Sequence, residues 1–238
     1  YEFCKGYYSR VTNRLHGRVT RLYLTPLIRS LQQVAGSHPL LTFLDSFRYP
    51  LAGEFAMVRD LAWINRVPGD WGLEVGVLSE IYRNCALRRI CQADIADAYE
   101  HKHQSLSADN AEQGLQKMCV DITKSLFRNL ASEGVVLSEA VLKTLRATYL
   151  QTAQEAITRY QNDAAINSLQ FDRHEERMAV EVFLKGMKIA TEAFLDDPLG
   201  VPMISNWSRV TGAIPDIFER LIGAVERDHE WDPVGDRV

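Results

Sequence analysis

The second half of the sequence consists of long stretches in which apolar residues recur every three or four positions, with few strand-favouring residues. This spacing gathers the apolar side chains on one helix face, so it predicts amphipathic helices that pack together. Ser138 and Asp172 suit helix starts because their side-chain oxygens cap free backbone N–H groups, and Gly134 suits a helix end. The predicted helices cover residues 111–131, 138–163, 172–195 and 214–227.

The first hundred residues differ, because short strand-like runs alternate there with helical patterns. Residues 1–8 and 89–95 are predicted strands, and residues 19–34 and 73–84 are predicted helices. Pro26 suits the first turn of the earlier helix. This interleaving indicates an α/β architecture. Because the chain begins inside a strand pattern without an initiator Met, we expect it to be the carboxy-terminal part of a longer protein.

Composition narrows the class of protein. The chain has 238 residues, 46% of them hydrophobic, and a net charge of -4. No apolar stretch approaches the ~20 residues that a membrane span needs, so we expect a soluble protein. Its mild acidity gives no electrostatic reason to expect nucleic acid. The cysteines have neither zinc-ligand spacing nor a secretory signal before them, which predicts free thiols and a cytoplasmic location: Cys4, Cys85, Cys91 and Cys119.

A His-x-His pair follows the predicted strand 89–95. If the extended conformation continues to this pair, His101 and His103 point to the same side, because alternate side chains of a strand share a face. Neutral imidazole ligates divalent metals, and the protonated ring binds phosphate. The pair is therefore either half of such a site or two solvated surface histidines, and its spacing alone does not decide between them.

Five short motifs occur in one order along the chain. Together they resemble the second half of the glucosyl-3-phosphoglycerate synthases, which are retaining glycosyltransferases of the GT-A fold. The resemblance is specific because several motifs keep their order, and it covers residues 1–106 more closely than the rest. The motifs are Gly-Arg-Val-Thr at 17–20, Pro-Leu at 26–27, Pro-Leu-Ala-Gly-Glu at 50–54, Gly-Leu-Glu-Val-Gly-Val-Leu at 72–78 and His-Lys-His at 101–103.

The resemblance implies a fold and a reaction. Residues 1–106 would be the acceptor- and metal-side part of a GT-A (Rossmann-like) domain, and residues 107–238 a mainly α-helical extension. The enzyme would transfer glucose from a nucleoside diphosphate glucose, usually UDP-glucose, to the 2-hydroxyl of 3-phosphoglycerate, giving a precursor of the compatible solute glucosylglycerate. It would need Mg²⁺ or Mn²⁺ and act as a homodimer.

The resemblance also implies site residues on the acceptor side. Arg18 would bind the anionic acceptor, because its planar fork can hold phosphate or carboxylate bidentately. Gly17 and Thr20 would offer a backbone N–H and a hydroxyl to the same anion. His103 stands where the family often has Asn near the acceptor, so it would bind the acceptor, ligate the metal or do neither. Other arginines nearby are expected to be ordinary surface charges: Arg14, Arg21 and Arg29.

The remaining implied residues concern the sugar and the metal. His101 matches the metal-ligand histidine, and an imidazole ligand suits Mn²⁺ better than Mg²⁺. Leu51, Gly53 and Glu54 would line the donor-sugar pocket, with Gly53 allowing close backbone approach. Glu74 would orient the sugar or acceptor hydroxyl, rather than attack as a nucleophile.

One departure from the family pattern is an absence. Enzymes of this fold hold the diphosphate metal with an Asp-x-Asp motif, and this chain contains none. We therefore expect an amino-terminal nucleotide-binding part before Tyr1, and we expect the 238-residue chain alone to be inactive. A mannosyl-transferring relative and a non-catalytic helical scaffold or dimerisation fragment are the alternatives. Convergence of Arg18, Glu74 and His101 on one cavity would separate catalysis from a scaffold.

Overall fold

The structure is a computed structural model that describes residues 1–97, 106 and 113–230. In this part of the chain a small sheet is combined with many helices, as an α/β architecture requires. The elements in chain order are β1 (Phe3–Tyr8), α1 (Thr25–Ala35), α2 (Pro39–Asp45), β2 (Phe55–Met57), α3 (Arg59–Ile64), α4 (Leu73–Asn84), β3 (Ile90–Ala96), α5 (Gly114–Ser132), α6 (Glu139–Ile166), α7 (Arg173–Asp196), α8 (Trp207–Ala213) and α9 (Ile217–Glu230).

The sheet has the order β2-β1-β3, with β1 in the centre. β1 runs antiparallel to β2, with Cys4 opposite Ala56, and parallel to β3, with Cys4 opposite Cys91. The parallel register shifts between Tyr7 and Tyr8, at the carboxyl end of β1. A register shift of this kind changes the direction of the side chain that follows it, and this shift lies beside a cleft.

Two helix boundaries differ from the sequence prediction. The first predicted helix should start near Pro26, but helical conformation begins at Val19 with a π-helical segment, Val19–Leu24, that runs directly into α1. Most of its side chains are buried, so packing extends the helix upstream of the proline. The last predicted helix, 214–227, is α9, which begins at Ile217, after Pro215, and α8 before it was not predicted. Proline lacks an N–H and clashes with the preceding turn.

One hydrophobic core joins the early and late parts of the chain. Tyr23, in the π-helical segment, bonds through its hydroxyl to Thr123 of α5. Tyr149 of α6 donates to the carbonyl of Leu22 at 2.9 Å. Because buried hydroxyls need partners, these bonds fix how the late helices sit on the early segment. The predicted N-caps are also present, since Ser138 accepts from Val141 N and Asp172 from His174 N.

In the described ranges, no helix combines the length and the apolar character that crossing a bilayer demands.

Gly76 lies where α4 packs against the loop before it. A Cβ at this position would overlap the ring of Pro68. We therefore expect Gly76→Ala to lower the free energy of unfolding by about 1–3 kcal/mol, because overpacking forces the backbone to shift. The measurement is urea denaturation followed by circular dichroism.

Gly223→Ala in α9 is the matched control, because the nearest atom to its added Cβ is Arg227 Nη1 at 3.5 Å, an ordinary contact. That variant should be neutral or more stable by about 0.5–1 kcal/mol, since alanine favours a helix over glycine. Equal stability changes at both glycines would contradict the steric explanation.

Candidate functional site

A cleft of about 670 Å³ lies where the end of β1, the loop 49–54, the start of α4 and the segment 14–20 meet. Side chains of α5 and α7 complete its wall. We call it the main cleft. It brings together stretches that are distant in sequence, which is how ligand sites are commonly built. Seven residues selected from the sequence line it: Gly17, Arg18, Thr20, Leu51, Gly53, Glu54 and Glu74.

Arg18 does line the main cleft, but its guanidinium is already paired. Its Nη2 lies 2.6 Å from Glu175 Oε2, and its Nε lies 2.9 Å from Glu176 Oε1. Both carboxylates belong to the first turn of α7, where the positive end of the helix dipole also stabilises negative charge. An anion that binds Arg18 must use the remaining N–H groups or displace one of these carboxylates.

Gly17 and Thr20 lie on either side of Arg18 and differ in their roles. Gly17 has φ +72°, a left-handed conformation that suits glycine, and it turns the chain into the π-helical segment. Thr20 is buried, and its Oγ1 has no hydrogen-bond partner among the described residues. A buried hydroxyl left unpaired costs free energy. Thr20 therefore offers an unused hydroxyl at the cleft wall.

Arg21 corrects one expectation. It was predicted to be an ordinary surface charge, yet its side chain is only 10% exposed and pairs with Glu176 at 3.1 Å. Its Nε also donates to the carbonyl of His16 at 2.8 Å, and its guanidinium lies over the ring of Tyr160. The interior position arises because the π-helical segment turns Arg21 towards α6 and α7. Arg29 is half-exposed and pairs with Asp45.

The loop 49–54 carries the three predicted donor-side residues. Leu51 is partly buried, and Glu54 accepts a hydrogen bond from Tyr8 at the end of β1. The second oxygen of Glu54, Oε2, is buried with no partner within the described ranges. Gly53 is exposed, and a Cβ there would meet no described atom within 4 Å. Gly53 thus leaves its side of the cleft open.

Glu74 lies in the first turn of α4, as the sequence predicted. Burial raises the pKa of its carboxyl, against the lowering effects of a backbone hydrogen bond and of the Lys5 ammonium. Glu54 adds to the rise because two neighbouring carboxylates disfavour each other's charge. Glu74 and Glu54 therefore place two acidic groups on one cleft wall.

Lys5 is the residue that sequence reasoning missed. It lies in the central strand with only 1% of its surface exposed, and its Nζ donates to the carbonyl of Ala52. Burial lowers the pKa of Lys5 to about 8, although Glu74 and Glu54 act in the opposite direction. Lysine is almost never fully buried without a partner. The sequence signal that could have identified it was a lysine in the middle of a predicted strand rich in aromatic residues.

The two histidines, His101 and His103, lie outside the described residues, so the structure does not place them. Within the described part of the chain, no group of three or more His, Cys, Asp or Glu side chains is arranged to hold a metal ion.

Comparison with known proteins gives close relatives. The chain is 52% identical over 232 residues to a glucosyl-3-phosphoglycerate synthase of Persephonella marina, covering 98% of this chain and 57% of that protein. It is 42% identical over 230 residues to a glucosyl-3-phosphoglycerate synthase of Methanococcoides burtonii, covering 95% and 56%. The chain thus spans somewhat over half of these relatives, and the resemblance seen in the motifs is confirmed. No family model matches.

Solved structures overlap the chain more loosely. A mannosyl-3-phosphoglycerate synthase of Rubrobacter xylanophilus shares 24% identity at a TM-score of 0.45, covering 58% of this chain and 39% of that one. A glucosyl-3-phosphoglycerate synthase of Mycobacterium tuberculosis, in complex with Mn²⁺, UDP-glucose and phosphoglyceric acid, shares 22% at a TM-score of 0.40, covering 58% and 40%. Overlaps this loose carry no argument about the site.

Proposed function

We infer that this chain belongs to the glucosyl-3-phosphoglycerate synthase family, and we propose that the full-length protein glucosylates 3-phosphoglycerate. The observation that supports this proposal most strongly is the 52% identity over 232 residues to a synthase of that name. The meeting of three family motifs at the main cleft supports it. Because the chain spans only 57% of that relative, the activity is proposed for the full-length protein. The predicted division at residues 106 and 107 and the GT-A fold belong to the same proposal.

The proposed reaction transfers glucose from a nucleoside diphosphate glucose to the 2-hydroxyl of the acceptor with retention. Arg18, Gly17 and Thr20, with His103, would bind the acceptor. Leu51, Gly53 and Glu54 would contact the donor sugar, and His101 would ligate Mg²⁺ or Mn²⁺.

Glu74 is proposed to orient the hydroxyl groups that react. Its place in the first turn of a packed helix suits this task, because a rigid element holds an orienting group more tightly than a loop does. The chain has no Asp-x-Asp motif, so we propose that residues outside this chain complete the donor site. Its cysteine usage supports a cytoplasmic location.

Activity of the full-length protein tests the proposal directly. We expect transfer of glucose to 3-phosphoglycerate in the presence of Mn²⁺ or Mg²⁺, and loss of that transfer when EDTA removes the metal. The measurement is product formation with a panel of nucleotide sugars that includes UDP-glucose and GDP-mannose. Preferential transfer of mannose would favour the mannosyl alternative. No transfer from any donor would leave the helical scaffold alternative.

The partner proposed for the helical extension is a second copy of the protein. α9 presents a stripe of apolar residues that are 42–61% exposed: Phe218, Leu221, Ile222 and Val225. We expect the full-length protein to be a dimer by light scattering, and Ile222→Asp to shift it towards monomer, because a buried unpaired charge disfavours an interface. Leu199→Asp is the control, since Leu199 is 88% exposed and lies outside α9. Identical dimerisation of Ile222→Asp would exclude this interface.

A further inference from the structure

Two of the four cysteines lie side by side in the sheet. Cys4 of β1 is directly opposite Cys91 of β3 in the parallel pair, so their side chains point to the same face. Neighbouring strands lie about 4.8 Å apart, and disulfides join residues whose Cα atoms are about 4.4–6.8 Å apart. The register therefore places this pair within the span of a disulfide, while all four cysteines are free thiols in the structure.

The two thiols also lie close to each other. The thiol of Cys91 donates to the carbonyl of Phe3, the residue before Cys4, with 3.8 Å between the sulfur and the oxygen. The Cys91 sulfur therefore lies on the side of β3 that faces β1. Burial raises the pKa of the Cys4 thiol, and a hydrogen bond with Cys91 adds to the rise. The two sulfur atoms are thus neighbours before any bond forms between them.

The pair differs from the other two cysteines in its access to solvent. Cys4 and Cys91 are partly exposed, whereas Cys85 and Cys119 are buried. On the other side of Cys4, the opposite residue in β2 is Ala56, which is exposed and small. Oxidation of a thiol by a dissolved disulfide requires access to the sulfur as well as some thiolate. A small oxidant therefore reaches this pair more easily than the two buried thiols.

We propose that Cys4 and Cys91 form a reversible oxidation site, at which a low-molecular-weight disulfide such as oxidised glutathione converts the two thiols into a disulfide between β1 and β3. First, one thiolate of the pair attacks a sulfur of oxidised glutathione, which breaks the glutathione S–S bond and releases one glutathione thiolate. The second thiolate then attacks the protein sulfur of this mixed disulfide and releases the other glutathione. The two protons from the cysteines end on the two glutathione molecules, so two protein thiols are oxidised and one disulfide is reduced.

The bridge has a consequence for stability. It would join residues that are 87 positions apart along the chain. A cross-link across so long a loop restricts the unfolded chain far more than the folded one, so it stabilises the fold. The raised pKa of Cys4 keeps most of its thiol protonated at neutral pH, so the exchange is slow unless the oxidant is abundant. The site is independent of the proposed function, because the described lining of the main cleft includes neither cysteine.

Mass spectrometry of the full-length protein tests the bridge. The protein is incubated with oxidised glutathione, its remaining thiols are blocked with N-ethylmaleimide in denaturant, and it is digested without reduction. Trypsin cleaves after Arg88 and Arg89, which separates Cys91 from Cys85. We expect a linked pair of peptides that contain Cys4 and Cys91 and that dithiothreitol separates, while the buried cysteines stay reduced. Blocked thiols at both positions, or glutathione adducts without the linked pair, would overturn the proposal.

Thermal unfolding tests whether the bridge ties the two strands together. The oxidised wild type should unfold several degrees above the reduced protein, and Cys91→Ser should unfold at one temperature under both conditions, because it cannot form the bridge. Cys85→Ser is the matched control, since it removes a cysteine outside the pair and should keep the wild-type shift. A bridged wild type with the Tm of the reduced protein, or an equal shift in Cys91→Ser, would overturn the stabilising cross-link. The linked peptides are measured on the wild type, so they decide the matter even if Cys91→Ser fails to fold.

Discussion

Glu74→Gln should lower kcat/KM of the full-length enzyme on the order of a hundredfold, because a reacting hydroxyl that is no longer oriented leaves attack geometry. The fold should survive. Burial already raises the pKa of the Glu74 carboxyl, which means that the ionised form is disfavoured in the folded state. Replacing it with a neutral amide of the same size should therefore leave the Tm unchanged or higher. Steady-state kinetics and thermal unfolding of the same preparation measure both effects.

Glu80→Gln is the matched control, because it changes the same residue type on the same helix. Glu80 is buried on another side of α4 and pairs with Arg66 at 2.8 Å and Arg83 at 3.1 Å. Its loss should lower the Tm, since two guanidinium groups lose their partner, while turnover well below the Tm should persist. A Glu74→Gln enzyme with wild-type turnover would contradict the orienting role.

Lys5→Met is the second substitution with a large expected effect. The ammonium of Lys5 holds the carbonyl of Ala52 and so fixes the loop that brings Leu51, Gly53 and Glu54 to the main cleft. It also attracts the carboxylates of Glu74 and Glu54 electrostatically. We expect kcat/KM to fall roughly ten- to a hundredfold, the cost of a lost charged hydrogen bond.

The pH dependence gives the Lys5 prediction its specific signature. Burial lowers the pKa of Lys5 to about 8, so wild-type activity should decline as the pH rises through about 8 and the ammonium becomes neutral. Lys5→Met should lack this decline, because it carries no titrating group. A wild-type alkaline decline that persists unchanged in Lys5→Met would assign it to another residue.

The free energy of unfolding should rise with pH over the range in which activity falls. The folded protein releases the Lys5 proton near pH 8, whereas the unfolded chain holds it until about 10.5. Between these values the unfolded state binds more protons, so the free energy of unfolding rises with pH. The gain is on the order of 3 kcal/mol across that window. The difference between wild type and Lys5→Met, followed by urea denaturation from pH 8 to 10.5, isolates it. A constant difference would contradict the buried ammonium.

Local signals in the sequence predicted much of the helical framework. Ser138 and Asp172 are N-caps, and Glu74 lies in the first turn of α4, because capping and apolar periodicity act within a few residues. The start of α9 had an equally local signal in Pro215, which falls inside the predicted range 214–227 but before the observed helix.

Interactions between residues that are distant along the chain could not be predicted from the sequence. The carboxylates that hold Arg18 are 157 and 158 residues away along the chain, and nothing in the spacing of either segment indicates the pairing. Arg21 was predicted to be exposed for the same reason, since its burial depends on α7. The motif order selected seven residues that line one cleft, but it did not select Lys5 beneath them. The family motifs contain the residues that line the main cleft, but they do not contain Lys5, which holds the loop 49–54 in place.

The central place of β1 has a consequence for biosynthesis. Phe3 is opposite Ile90 in the parallel pair, so β1 leaves the ribosome 87 residues before this partner. At roughly 5–20 residues per second, the strand waits several seconds with one edge open. An aromatic strand with a free edge readily pairs with other chains. The nascent protein should therefore depend on chaperones most strongly before β3 emerges.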